Sequence, residues 1–269
     1  MGNDKLNLSM RDMVKVVYFT DAHNQPTLPQ DRFVWLARMV NYEKPDYLID
    51  GGDMDDFHSL CSHEKNETEK GRVKPALLHD LEYSAKARTL INDVLTVNPK
   101  KVITLGNHEA RIFIYENNNR EVQGLASNHY FDILDKHGWD YCDYGDKFDC
   151  HGVDFTHCPF TGMGKPFGGD LIAKNVSVKS KRDCVFGHTH QLTTHTDHKT
   201  FNESVTAYNL GCYMPDGYIP AYVKNTRKEF WYGAHVLMIS GGRVKSVKSY
   251  QIGELEHRYG QSVRLVFNG

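Results

Sequence analysis

The chain has 269 residues, 40% of them hydrophobic and 12% aromatic, ample for a sizeable core in one domain. A formal net charge of −2 excludes an overall basic field for nucleic acid, though not a local groove. Residues 1–13 are polar and lack the apolar core of a signal peptide, and no run reaches the roughly 18–20 apolar residues of a membrane span, so a cytoplasmic protein with no membrane association is expected. The six cysteines (Cys61, Cys142, Cys150, Cys158, Cys184 and Cys212) form no CxxC pair and no compact framework, and read as free thiols of a reducing compartment.

The apolar run over 14–19 predicts a buried strand that delivers Asp21. Phe33, Leu36, Ala37 and Val40 share one face of a helix over 31–42, which Pro45 stops. Tyr47-Leu48-Ile49 is then a second strand, delivering Asp53, and the strand–helix–strand order predicts a parallel unit. Residues 57–74 are polar and charge-rich, which suggests a surface excursion or lid over 57–80. A helix is expected over 75–97, a strand over 101–105 delivering Asn107 and His108, and helices over 109–116 and 124–137.

Beyond residue 140 short alternating runs separated by Gly, Asn and Asp predict strands of a second sheet: 146–151, 153–157, 183–186, 205–210, 234–240 and 243–251, with a helix over 170–180. No repeat or linker interrupts the chain, so residues 1–269 read as a single domain with a flexible segment at 1–13. The expected fold is α/β, two sheets packed face to face with helices outside.

Ligand-rich clusters punctuate this pattern: Asp21-x-His23, Gly52-Asp53-Met54-Asp55-Asp56, Gly106-Asn107-His108-Glu109, His157, and Gly187-His188-Thr189-His190. The donors are too many for one ion and suit two. Two divalent ions about 3.5–4 Å apart can clamp the attacking and leaving oxygens of a phosphoryl displacement, given a carboxylate between them to offset their repulsion. Carboxylates, an amide oxygen and imidazoles suit Mn, Fe or Zn rather than Ca. An Asp-x-His or His-x-His step at a strand end is expected to place both side chains on one face of the pleat.

In their order these clusters resemble the five signature blocks of the calcineurin-like metallophosphoesterases, over residues 21–190 and with no ligand missing. Asn209-Leu210-Gly211 is similar to the strand end that follows the last block in many members. The resemblance implies a two-sheet αββα sandwich. It implies that Asp21, His23 and His190 hold a first metal and Asn107, His157 and His188 a second, with Asp53 bridging. It implies that His108 is no ligand but faces the scissile phosphate as general acid or charge stabiliser, and that Asp56 orients it. A metal-bridging hydroxide, available near neutral pH, would attack phosphorus in line.

Weaker signals carry two readings each. Arg111, on the first turn of a helix, is either a phosphate clamp or a surface arginine in an ordinary ion pair. The protein phosphatase branch carries an arginine after its second block where this chain has Phe57. His58, His63 and His79 could line a lid or be solvated. Asp149, Cys150 and His151 fit a hairpin better than a metal site, and His195 and His198 fit a solvated loop. The Gly-rich segment 158–169 could approach a substrate closely, but lacks the ending of a nucleotide-binding P-loop. Tyr213 or Tyr218 could stack on a base or serve as packing. Basic residues over 174–182 fit a solvated face better than a polyanion site.

Together these readings predict a binuclear metal-dependent phosphoesterase using two divalent ions, Mn first and Fe or Zn as alternatives. A phosphodiesterase acting on a nucleotide or nucleic acid is favoured over a phosphomonoesterase or phosphoprotein phosphatase. A metal-free interaction scaffold is disfavoured because every ligand is retained. A repair-complex nuclease subunit is disfavoured because the chain has little room for partner-binding regions. The oligomeric state stays open.

Overall fold

The computed structural model describes residues 13–61, 76–200, 203–220, 223 and 229–260. Almost all of the expected 1–13 segment and much of the 57–80 excursion, His63 included, lie outside these residues. In chain order the elements begin with β1 (Val14–Phe19), α1 (Asp31–Glu43), β2 (Tyr47–Asp50), α2 (Leu77–Val94), β3 (Lys100–Thr104), α3 (Ala110–Asn118), α4 (Leu125–Lys136) and β4 (Trp139–Cys142). There follow β5 (Phe148–Cys150), β6 (Val153–Phe155), α5 (Ile172–Lys179), β7 (Cys184–Phe186), β8 (Leu192–His198), β9 (Ser204–Leu210), β10 (Gly233–Ser240), β11 (Arg243–Gln251) and α6 (Ile252–Tyr259).

The expected parallel unit forms, Val16 pairing with Tyr47 and Phe19 with Asp50. Helix α1 ends where Lys44 turns left-handed (φ 50°) and returns its N–H to Val40 O at 2.8 Å; Pro45 then prevents continuation. One sheet runs β11-β10-β1-β2-β3-β4 and the other β5-β6-β7-β9-β8. The period-2 alternation of β1 decides what each face meets. Val16 and Tyr18 join Ile49, Phe155, Val185, Leu210, Leu237 and Ile239 between the sheets. Val17 and Phe19 point the other way, into a core with Phe33, Leu36, Ile91 and Leu134 of the helices. On the outer face of the second sheet, α5 packs Ile172, Ala173 and Val176 against Cys184, Phe186 and Ala207. The result is the expected helix–sheet–sheet–helix layering.

One sheet assignment is corrected. Strands β10 and β11, expected in the second sheet, belong to the first, with β10 antiparallel to β1 and β11 antiparallel to β10. Ala234, Val236, Leu237 and Ile239 of β10 are all buried, as a strand covered on both faces requires. Strands β4 and β8 and helix α6 are additions to the expected elements. None of the six cysteines is in a disulfide. Among the described residues no helix is long and apolar enough to cross a membrane.

Candidate metal centre

The parallel strands point their carboxyl ends the same way, and the clusters sit on the turns that follow β1, β2, β3, β6 and β7. This is where ligands gather in α/β sheets. The pleat argument for paired ligands fails in detail: β1 stops at Phe19 and β7 at Phe186, so the donors stand beyond the strands. Asp21 (φ 51°), His23 (φ 44°), Asp53 (φ 52°), His188 (φ 72°) and His190 (φ 61°) all take left-handed backbone conformations. Each costs a non-glycine residue on the order of 1–3 kcal/mol, and such strain concentrates at functional sites. His188 and His190 also turn to different groups rather than acting as one pair.

Two groups of donors result. In the first, Asp21 Oδ1 lies 3.2 Å from His190 Nε2 and 3.9 Å from His23 Nε2, and the two imidazole nitrogens are 3.2 Å apart. In the second, His157 Nε2 lies 3.3 Å from Asp53 Oδ2, 3.2 Å from His188 Nδ1 and 3.0 Å from Asn107 Oδ1. Asp21, His23, Asp53, His157 and His190 are buried, and His188 is half-buried. The donors of each trio, Asp21–His23–His190 and Asp53–His157–His188, lie close enough to share one ion.

Hydrogen bonds fix which atom each residue presents. Asp21 Oδ2 accepts from Thr20 Oγ1 (2.6 Å) and His188 N (2.9 Å), whereas buried Oδ1 has no hydrogen-bond partner. Asp53 Oδ1 accepts from His108 N at 2.8 Å, which leaves Oδ2 facing His157. His157 Nδ1 sits 2.9 Å from the Gly51 carbonyl and must donate to it, so the neutral ring carries its lone pair on Nε2. That is the tautomer selection typical of ligating histidines. Asp21 Oδ1, a carboxylate oxygen buried without a hydrogen-bond donor and 3.2 and 3.9 Å from two imidazole nitrogens, fits a divalent cation. A side chain at Gly106 would overlap Asp53 Oδ1, and one at Gly187 would overlap Asp21 Oδ2. These glycines permit the close approach of the loops.

Charge follows the same geometry. Burial opposes ionisation of Asp21, yet His190 and His157 bring its carboxyl down to about 2. Burial likewise opposes ionisation of Asp53, but His108 and His157 hold it well below the usual carboxylate range. Burial depresses His157, but Asp53 and Asp21 outweigh it and lift the ring to about 10. Burial and then neighbouring His157 push His188 down to about 4. The centre thus keeps two buried carboxylates ionised against the cost of burial.

His108 and Asp56 stand beside these groups. His108 Nδ1 is 2.7 Å from Asp56 Oδ1, and its Nε2 lies 3.7 Å from Asp53 Oδ2. Burial lowers His108, but Asp53 and Asp56 reverse the balance and raise it. Arg111 donates from Nη1 to Asp56 O at 2.6 Å, and its Nη2 lies 3.2 Å from His108 Nε2. It is thus part of the centre rather than a surface residue in an unrelated ion pair.

Several weaker expectations resolve. Tyr213 is fully buried against Phe19 and Phe33, so it is a core residue and no base stacker. Tyr218 is half-buried and bonded to Gln25. His58 is half-buried, 3.6 Å from Asp56 Oδ2, while His79 is exposed on α2. His195 and His198 lie on β8 rather than in a loop, with His195 Nδ1 2.8 Å from Ser177 Oγ. His151 is a hairpin residue near Tyr47. The glycines of 158–169 face open space.

Two supporting residues escaped the sequence reading. Glu109 is fully buried and accepts the backbone N–H groups of Asp53 (3.0 Å), Asp55 (3.0 Å) and Gly106 (2.8 Å), pinning the second block to the third. Burial, with Asp53 and Asp55 nearby, raises its carboxyl to about 7. Asp55 Oδ2 pairs with fully buried Arg88 at 2.8 Å, and Ser84 Oγ (2.9 Å) and Tyr130 OH (3.3 Å) donate to the same oxygen. Glu109 is the last residue of the Gly106–Glu109 block, so its carboxylate was a visible signal although its clamping role was not. Arg88 carried none, being one arginine in an amphipathic helix.

A profile of the Calcineurin-like phosphoesterase family matches residues 14–192. Among curated proteins none matches the chain. Solved structures similar to it include YfcE, a phosphoesterase from E. coli, at 13% identity over 87% of this chain and 98% of that one, with a TM-score of 0.38. Vps29 from Entamoeba histolytica, complexed with zinc, is similar at 11% identity over 88% of this chain and 97% of that one, with a TM-score of 0.37. These likenesses are loose, whereas the profile spans every block from Asp21 to His190. The chain belongs to the calcineurin-like phosphoesterase family.

Proposed function

We propose that the protein is a binuclear metal-dependent phosphoesterase that hydrolyses a phosphodiester in a nucleotide or nucleic acid. Asp21, His23 and His190 would hold one divalent ion and Asn107, His157 and His188 the other, with Asp53 between them. The observation that carries this is the sorting of donors into two groups, each presenting its free carboxylate oxygen or imidazole lone pair inward. Mn is the proposed native metal, with Fe or Zn as alternatives. When bound, the ions supply Lewis-acid polarisation of the phosphoryl group and lower the pKa of water.

The chain's own residues supply the rest. Asp56 holds Nδ1 of His108, so Nε2 is the atom turned toward substrate, where it donates a proton to, or stabilises charge on, the leaving oxygen. Arg111, adjacent to Nε2, is placed to bind a non-bridging phosphoryl oxygen through its planar fork.

The diester preference has two supports. Phe57 is buried against Tyr130 and offers no cation to a phosphomonoester. Half-buried aromatic rings flank the centre on both sides: Phe230 is 4.7 Å from the His190 ring, and Tyr144 is 6.3 Å from His157 with Phe160 next to it. Planar faces there suit bases on either side of a phosphate. A cytoplasmic location belongs to the same reading and agrees with the free thiols.

The test compares Mn-supported turnover of an aryl phosphomonoester with that of the bis-aryl diester. Faster diester hydrolysis is expected; strong preference for the monoester would overturn the substrate class. Asp53→Asn should lose metal and activity together, while His108→Asn should keep metal and lose rate.

A further inference from the structure

Asp56 does more than face His108. His23 Nδ1 lies 3.1 Å from Asp56 Oδ1, the same oxygen that His108 Nδ1 approaches at 2.7 Å. The carboxylate oxygen accepts from both rings, and the Asp56 carbonyl, 3.0 Å from His108 Nδ1, can likewise only accept, so each imidazole carries a proton on Nδ1. For His23 this leaves the lone pair on Nε2, the nitrogen that faces Asp21 and His190.

The carboxylate is itself held in place. Asp56 N donates to Asn24 O (3.0 Å), His23 N to Asp53 O (2.9 Å) and Asn24 N to Met54 O (2.7 Å), so the first two blocks are stitched strand-like around it. Its backbone carbonyl accepts from Arg111 Nη1. His23, Asp56 and His108 are also close enough to be considered a third ion site. Both Nδ1 atoms, however, sit at hydrogen-bonding distance from one and the same oxygen, which is donor–acceptor geometry rather than an arrangement around a cation.

We propose that Asp56 is a positioning residue for the Asp21–His23–His190 metal as well as for His108. One carboxylate selects the ligating tautomer of His23 and the orientation of the proton-donating ring, so metal occupancy at that group and alignment of His108 share a single support. The inference rests on the two-metal reading and adds to it a dependence that neither ligand set displays alone. Outer carboxylates of this kind are typically worth 10–100-fold in metal affinity.

The experiment is calorimetric titration of Mn into the chelator-stripped full chain, for wild type, Asp56→Asn and His108→Gln. Wild type is expected to take up two ions. Asp56→Asn should bind one of them roughly 10–100-fold more weakly, and His108→Gln should bind both as wild type does. An Asp56→Asn isotherm superimposable on wild type would overturn the proposal. So would an equal weakening in His108→Gln, because the effect would then not run through His23. Should Asp56→Asn fail to fold, the imidazole nitrogen shifts of His23 in stripped wild type decide the matter. A proton on Nδ1 is expected, and the Nε2–H tautomer refutes it. A wild-type chain that takes up no Mn overturns the underlying two-metal reading instead, and is thereby distinguished.

Discussion

Replacing Arg88 by methionine tests how the second block is held. Arg88 is fully buried on α2, with Nη1 2.8 Å from Asp55 Oδ2 and 2.7 Å from Ser84 Oγ, and Nη2 3.2 Å from Tyr130 OH. Methionine fills much of the volume but strands the Asp55 carboxylate, which is 1% exposed and has no other cation within ion-pair distance among the described residues. Removing one partner of a buried pair costs about 3–5 kcal/mol, well beyond the loss of one neutral hydrogen bond. At about 2–4 °C per kcal/mol for a chain approaching this size, the thermal midpoint should fall by roughly 6–20 °C. Differential scanning calorimetry on metal-loaded protein measures it. Adding Asp55→Asn removes the stranded charge, so the double variant should be less destabilised than the sum of the two single changes. A drop of under about 2 °C for Arg88→Met, or strict additivity in the double variant, would refute the reasoning.

Other outcomes follow from the same structure. Glu109→Gln turns an amide N–H₂ toward one of three backbone donors, costing about 1–3 kcal/mol and displacing the Asp53 loop. The variant should melt earlier and bind Mn more weakly, and an unchanged Mn titration would contradict the clamp. Chelator-stripped protein should gain about 2.7 kcal/mol per site at Mn concentrations 100 times Kd. Asp53→Asn should abolish most of that gain, as thermal melts would reveal. His235, between Ser249 Oγ (2.9 Å) and Leu210 O (3.0 Å), is depressed to about 3 by burial, which outweighs its bond to the Leu210 carbonyl. The unfolded chain therefore binds a proton at this position below about pH 6.5 that the folded chain refuses, and stability falls with pH down to about 3. Between pH 6.5 and pH 5 stripped wild type should lose about 2 kcal/mol more than His235→Leu. Parallel pH profiles in urea unfolding would argue against it.

The legible part of this protein was its chemistry. Asp21, His23, Asp53, Asn107, His157, His188 and His190 are conspicuous because polar donors directly after apolar runs have few other uses, and the structure gathers them at one end of the strands. The strand–helix–strand opening was equally readable from its periodicity. Strand β8 was not: Leu192–His198 has no fully buried position along its length, so no apolar alternation announces it. Sheet membership of β10 was not readable either, because a run buried on both faces has the same pattern in either sheet. The left-handed turns at the ligands defeated the pleat argument, since periodicity describes side chains within a strand and says nothing past its end. Glu109 and Arg88 act through backbone amides and a buried charge, partners that only the folded chain brings within reach.

The seam between β1 and β10 joins Val14 to Ile239. While the nascent chain leaves the ribosome, β1 can dock on β2 early, but its other margin stays bare until almost the last strand has been synthesised. That margin is a template of open amide and carbonyl groups for any passing extended segment. The slowest and most hazardous stage of biogenesis should therefore be the final insertion of β10. Products cut short before Gly233 should accumulate as aggregates rather than as a smaller, working phosphoesterase.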